Sequence, residues 1–355
     1  MATLKDVAAA AGVSRTTVSN AYNRPGKLSA PVRERVLAVA RELGYPGPDP
    51  AARSLRTGRV GALGVLFTEA LSFAFDDPAA VLLLRGIAQA GELADVGLTL
   101  LPAPPERRPD AVAVARAVVD GFLVYGLSDG HPSVAAALAR RLPTVIVDGP
   151  DGPAGSFVGV DDRGGARQAA EHLLRLGHRR VGVLVDRVSA DAYRGPVGRE
   201  RREGAAFRVA RLRLGGYGDA LRHAGLDFQA VPVQECGGPD AASGRAGAAA
   251  LLRRAGPLTA ILATTDLLAL GAIEAAAGRG LRVPADLSVV GFDDLPAAAG
   301  AGLTTVRQPL AEKGRLAARL LLDLLAGAPA RRVELPTALV VRGSTATPPR
   351  DGGAP

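Results

Sequence analysis

The spacing of apolar residues changes character near Val60. Before it, apolar residues recur at helical intervals; after it, short continuous apolar runs alternate with amphipathic stretches. Leu4, Val7, Ala8 and Ala11 share one face of a short helix. Thr3 stands before it and Asp6 three residues later, a capping box with Asp in place of Glu. Gly12 suits the left-handed position that stops a helix, Val13 plugs the turn, and Ser14 can cap a second helix over residues 15–22. That helix turns Val18 and Tyr22 inward and leaves Arg15, Thr16, Ser19 and Asn20 outside. A third helix is expected with Ser29 as its cap and Pro31 in its first turn, where the missing N–H costs nothing. Val32, Val36, Ala40 and Leu43 then form one face, and Gly44 ends it. Three short helices with a tight Gly-Val-Ser turn make a helix-turn-helix unit, although the pattern also fits any small three-helix cap.

From Val60 onward, "VGALGVLF", "LTLLPA", "DGFLVYGL", "LPTVIVDGP", "RRVGVLV", "LTAILATT" and "LSVVGFDD" read as strands. The runs "AAVLLLRGIAQAGELADVG", ending at Gly97, and "PSVAAALARR", "GARQAAEHLLRLG", "YGDALRHAG", "DAASGRAGAAALLRRAG" and "DLLALGAIEAAAGRG" read as helices. The alternation predicts a doubly wound parallel α/β fold, long enough for two similar lobes. Ligands in such folds bind outside the carboxyl ends of the strands. Two segments depart from the rhythm. Residues 187–212, rich in Arg and Gly, are expected to be a mobile loop. Residues 44–61 carry three prolines and read as a linker with one short helix, Asp49 as cap and Pro50 at its first position. A helix so short is unstable alone, so this is either a solvated linker or a segment that folds against a partner.

Charge favours the nucleic-acid reading of the first module. Residues 1–59 hold ten lysines and arginines against four acids, whereas the rest of the 355-residue chain holds 33 against 31. A basic excess confined to one small module is the footprint of phosphate contact. Candidate chemistry elsewhere is sparse. The one cysteine, Cys236, excludes a disulfide framework and a multi-cysteine metal site, and the four histidines form no i, i+4 metal pair. His178 lies at a helix–strand junction and reads as structural. No nucleotide-binding glycine fingerprint or Walker motif occurs, so no cofactor, metal or enzymatic activity is expected. No apolar run approaches 18 residues and no signal region precedes the first helix, so a cytoplasmic protein without a membrane partner is expected.

"TLKDVAAAAGVSRTTVSNAYN", "LSAPVRERVLAVARELGY" and "AARSLR" together resemble the DNA-binding head of the LacI/GalR (lactose-repressor) family of bacterial transcription regulators. "GVDDRGGARQAAEHLLRLGHRRVGVL", "LRVPADLSVVGFDD" and "LTTVRQPLAEKG" resemble that family's effector-binding core, so the likeness covers almost the whole chain. It implies an all-α head over residues 1–46, a hinge helix within 47–58, a core of two doubly wound, periplasmic-binding-protein-like lobes over 59–345, and a disordered tail over 346–355. It further implies a homodimer on palindromic double-stranded operator DNA. Arg15, Thr16 and Asn20 would read bases, Arg15 through two bonds to guanine and Asn20 through adenine. Ser14, Thr17, Asn23 and Lys27 would meet phosphates. In the hinge, Ala51 and Leu55 would contact DNA, Leu55 as the minor-groove wedge.

The same resemblance places a small-molecule effector, a sugar by family prevalence, among Thr68, Phe75, Asp148, Arg213, Thr265, Asp293 and Gln308. Asp266 and Asp294 are expected to cap helices or tie loops instead. The function so implied is an effector-controlled DNA-binding regulator, most often a repressor. The alternatives are the solute-binding protein of a transporter and a regulator that answers to a partner protein.

Overall fold

The computed structural model describes residues 2–48, 58–68, 70–90, 96–103, 111–152 and 155–349. They divide into two compact units, Met1–Gly61 and Ala62–Pro355. In the first, α1 (Leu4–Ala10) begins with the expected capping box. Thr3 Oγ1 accepts from Asp6 N, and Asp6 Oδ2 accepts from Thr3 N at 2.8 Å. Gly12, at φ +64°, turns the chain into α2 (Arg15–Asn23), where Ser14 Oγ accepts from Thr17 N at 3.0 Å. In α3 (Ala30–Glu42), Pro31 occupies the first turn, and Ser29 stands at the cap position without a side-chain bond. Val7, Val18 and Val36 are fully buried at the centre, with Ala8, Ala11, Ala21 and Ala40 around them.

One expected core position fails here. Leu43 is 41 % exposed, and Val39 packs on the core in its place. The helix ends at Glu42, and Leu43, at its cap, faces solvent beyond the buried Val36 and Ala40. Tyr45 then returns over Tyr22, edge to face, with ring centroids 6.0 Å apart.

The second unit holds two sheets. The first lobe opens with β1 (Ala62–Phe67), α4 (Pro78–Ala88), β2 (Gly97–Pro102), β3 (Gly121–Tyr125), α5 (Pro132–Ala139), β4 (Thr144–Val147) and β5 (Ser156–Val160). The second lobe follows with α6 (Asp162–Arg175), β6 (Val181–Val185), β7 (Gly195–Pro196), α7 (Arg208–His223), β8 (Val233–Glu235), α8 (Ala241–Arg254), β9 (Ala260–Ala263), α9 (Asp266–Ala277), β10 (Ser288–Asp293) and β11 (Thr304–Arg307). The chain returns to the first lobe for α10 (Leu310–Leu325) and β12 (Arg332–Leu335), then ends in the second with β13 (Ala338–Val340).

The first sheet is parallel throughout, in the order β2-β1-β3-β4-β5-β12. The second repeats that order as β8-β6-β9-β10-β11, with antiparallel β7 and β13 at its edges. Strands covered by helices on both faces need apolar residues at every position, and β4, β6 and β9 are buried along their whole length. The amphipathic helix α10 seals the first lobe by burying Ala317, Ala318, Leu320 and Leu321 in the core cluster that holds Leu123 of β3, Val145 of β4 and Val158 of β5. It lies so close to α4 that a Cβ on Gly314 would stand 2.2 Å from Leu83 O, a contact only glycine permits.

Three sequence expectations need correction. The helix α4 stops at Ala88, residues 91–95 lie outside the described set, and Gly97 opens β2 rather than ending a helix. Residues 187–212 are not a loop. They hold β7, a helix at Arg199–Glu203 and the first turn of α7. Their arginines bind inward, Arg201 to the buried Glu235 at 2.6 Å, Arg202 to the carbonyls of Phe228 and Val231. The disordered tail does not begin at residue 346. Ala346 N donates to Ser288 Oγ at 3.0 Å, and its carbonyl faces His178 Nε2 at 2.9 Å, which also gives His178 its structural place.

Candidate functional site

The exposed face of α2 is the first candidate. Its N-terminal turn is set by the Ser14 cap, so Arg15 and Thr16 project from the exposed start of the helix, with Ser19 and Asn20 half-buried one turn on. Ser14 Oγ and Thr17 Oγ1 lie 2.8 Å apart, which ties both expected phosphate ligands to the helix start. Lys27 is exposed at the end of a short 3₁₀ turn. Asn23 departs from expectation. Its amide donates back to Ser19 O at 3.0 Å and to Ser19 Oγ at 3.3 Å, so its N–H group is engaged within the helix. Ala51 and Leu55 lie outside the described residues.

The second candidate is a cavity at the carboxyl ends of both sheets. Thr68 follows β1, Asp148 follows β4, Thr265 follows β9, Asp293 ends β10 and Gln308 follows β11. Arg213 enters from α7, so six of the expected effector residues line one cavity. Phe75 does not join them. It is 65 % exposed in the short turn Phe73–Asp76, and Asp77, the cap of α4, lines the cavity instead. The hydroxyl of Thr265 is partly committed, since it accepts from Leu268 N as the cap of α9.

Beneath the cavity runs a buried polar chain that crosses both lobes. Lys313 Nζ donates to Asp148 Oδ2 and to Gln308 Oε1, the latter at 2.7 Å. Gln308 Nε2 donates to Asp293 Oδ1 at 2.6 Å. Arg213 stands 3.5 Å from Asp293, donates to Asp162 Oδ1 at 2.8 Å and to the Thr264 carbonyl, and stacks on Phe292. An ammonium can only donate, so Lys313 forces the oxygen of the Gln308 amide toward itself and its N–H₂ toward Asp293. Asp148 Oδ1 is buried and has no hydrogen-bond partner among the described residues. Asp266 and Asp294 tie loops as expected. Asp266 accepts from Leu295 N at 2.7 Å, and Asp294 pairs with Arg307 and Arg342, each at 2.6 Å.

Burial dominates the electrostatics. It lifts the Asp293 carboxyl to about 8, against the pull of Arg213. It raises Asp186, Asp77 and Asp162 in the same direction. Arg213 stays charged because Asp162 and Asp293 outweigh its desolvation. Lys313, Asp186 and Arg208 escaped the sequence reading. Asp186 follows an apolar strand just as Asp148 does, so the strand-end rule would have found it. Lys313 shares a helical face with Leu310, Gly314 and Ala317, and a lysine on an inward face was its signal. Arg208 carried none, since its partners are remote in sequence.

A family model of bacterial regulatory proteins of the lacI family matches residues 3–47, and one of a periplasmic binding protein-like domain matches residues 170–345. The chain is 44% identical to an HTH-type transcriptional regulator of Mycolicibacterium smegmatis, over 98% of this chain and 97% of the relative. It is similar to the lac repressor dimer bound to operator and the anti-inducer ONPF, at 29% identity and a TM-score of 0.77, over 97% of this chain and 99% of that one. It is also similar to the transcriptional regulator CelR in complex with cellobiose, at 30% identity and a TM-score of 0.70, over 97% of this chain and 100% of that one.

Proposed function

The chain belongs to the LacI family of DNA-binding transcriptional regulators with an effector-binding core, and from that premise we propose that it is a homodimeric repressor released from a palindromic operator by a sugar in the cleft. The observation that carries the sugar reading is the buried, unpaired Asp148 Oδ1 in a wall that also presents Asp293, Asp186 and Arg213. Carboxylates accept from hydroxyls and a guanidinium donates to them, so alternating groups of this kind match a neutral polyol. The CelR relative holds cellobiose, and the lac repressor relative meets its operator as a dimer.

DNA recognition then falls to α2, with Arg15 and Asn20 on base edges and Ser14, Thr17 and Lys27 on phosphates. Ala51 and Leu55 of the hinge would enter the minor groove at the operator centre. Occupation of the cleft biases the angle between the lobes. In a dimer that angle sets the separation of the two hinges, so operator affinity falls and, by reciprocity, DNA weakens sugar binding.

The experiment is a selection of bound duplexes from a random pool, at two salt concentrations and with or without a panel of hexoses and disaccharides. A palindrome that survives high salt and is released by a sugar supports the reading. Sequence-neutral, salt-sensitive binding removes the operator assignment, and a sugar that tightens binding reverses the sign. In the same assay Leu55→Ala is expected to weaken operator binding while leaving sugar binding intact. A partner-protein effector would leave every sugar inert.

A further inference from the structure

Two arginines at the start of α7 reach out of the second lobe into acids of the first. Arg208 Nε donates to Asp151 Oδ1 at 2.9 Å, and its Nη2 reaches Glu334 Oε1 at 3.4 Å. Arg211 donates to Asp129 Oδ2 at 3.0 Å and to Asp151 Oδ2 at 2.6 Å. The backbone adds one bond, from Asp129 N to Ala206 O at 2.8 Å. Asp129 follows β3, Asp151 follows β4 and Glu334 lies on β12, so each partner belongs to the first lobe. The Arg208 guanidinium also lies 4.7 Å from the Phe157 ring of β5. Arg208 is nearly buried and lines the effector cavity, whereas Asp129 and Asp151 are 38 and 51 % exposed.

We infer that Arg208 and Arg211 form a charge latch that holds the second lobe against the first at the edge of the effector cavity. Its centre is Asp151. Both of its carboxylate oxygens are occupied, one by each arginine, so loss of that one charge weakens both arms at once. Exposed ion pairs contribute little singly and are screened by salt, which suits a contact that must open and close. The buried arm differs. Within its own lobe Arg208 has Asp162 at 3.9 Å, beyond hydrogen-bond reach, whereas the acids it donates to, Asp151 and Glu334, stand on the first lobe, so its compensation depends on that lobe staying in place.

The test measures the distance between lobes by fluorescence energy transfer in the full chain, without DNA or sugar. Dyes go on V118C in the first lobe and R279C in the second, both exposed positions, and Cys236 is too buried to take a label. Labelled protomers are diluted into unlabelled protein, so transfer reports one chain only. Transfer is expected to change as salt rises from about 0.1 M to about 1 M, where the screening length contracts from about 10 Å to about 3 Å. D151N should reproduce that change at the lower salt. R211Q should shift transfer less in the D151N background than alone, because the two share the Asp151 contact and only Arg211–Asp129 is left to lose. The control is D286N, which neutralises a half-buried acid paired within the second lobe to Arg282. A distance that stays put in D151N, or that moves equally in D286N, overturns the latch. The readout needs neither operator nor effector, so it fails independently of the proposed repressor function.

Discussion

On the head, Ser14, Arg15, Thr16, Thr17 and Asn20, which we assign to DNA, stand within two turns at the start of one helix, with side chains exposed or half-buried. In the cleft, Asp148, Arg213, Asp293 and Gln308 come from separate elements of two lobes and are almost fully buried. The first site is a local object, set by one cap and one helical period. The second exists only when both sheets have formed, and its charges hold each other in place through Lys313. Damage to the head should therefore stay where it is made, whereas damage to the cleft should spread.

The largest expected effect tests that spread. Arg213→Met leaves the buried Asp162 without the guanidinium it accepts from at 2.8 Å. Breaking such a pair costs about 3–5 kcal/mol, read as a lower denaturation midpoint of the core. A loss no larger than that of an ordinary surface substitution would mean that the cleft is as modular as the head. Next in size, Arg15→Ala should forfeit about 1–3 kcal/mol of discrimination at one operator base pair. It should leave core unfolding unchanged, and a shifted core midpoint would erase the contrast between the regions.

The two regions should also answer pH with opposite sign. The folded-state value of Asp293 is about 8, above its ordinary 3.8, so the folded core holds a proton that the unfolded chain releases. Its contribution is complete below about pH 4 and is lost as pH rises toward about 8, at about 1.4 kcal/mol per pH unit. Asp293→Asn should flatten that slope, and an unchanged slope would assign the proton elsewhere. In the head, Asp6 is lowered by the backbone and hydroxyl of Thr3. Its capping contribution is present above 3.8 and lost as pH falls below it, measurable by helicity at acid pH. The smallest effect is Ser14→Ala, which removes one cap bond, costs about 1 kcal/mol, and should touch the head alone.

What the sequence determined by itself was whatever depends on neighbours along the chain. The Thr3–Asp6 and Ser14 caps, the turn at Gly12 and the fully apolar strands follow from a few consecutive residues, since hydrogen bonds at helix ends and burial on both faces of a sheet are local demands. Six of the seven residues that the family resemblance suggests for an effector also line one cavity, five of them because strand ends converge in a doubly wound fold. Tertiary structure alone decided the rest. Phe75 turned outward while Asp77 turned in, and the expected loop at 187–212 became ordered because Glu235, Phe228 and Val231 receive its arginines. Lys313 found its counter-ion just after a strand far back in the chain. Periodicity states which face of an element is buried, but the energy of a buried charge depends on what stands opposite it, and only the packed lobes bring that partner within reach.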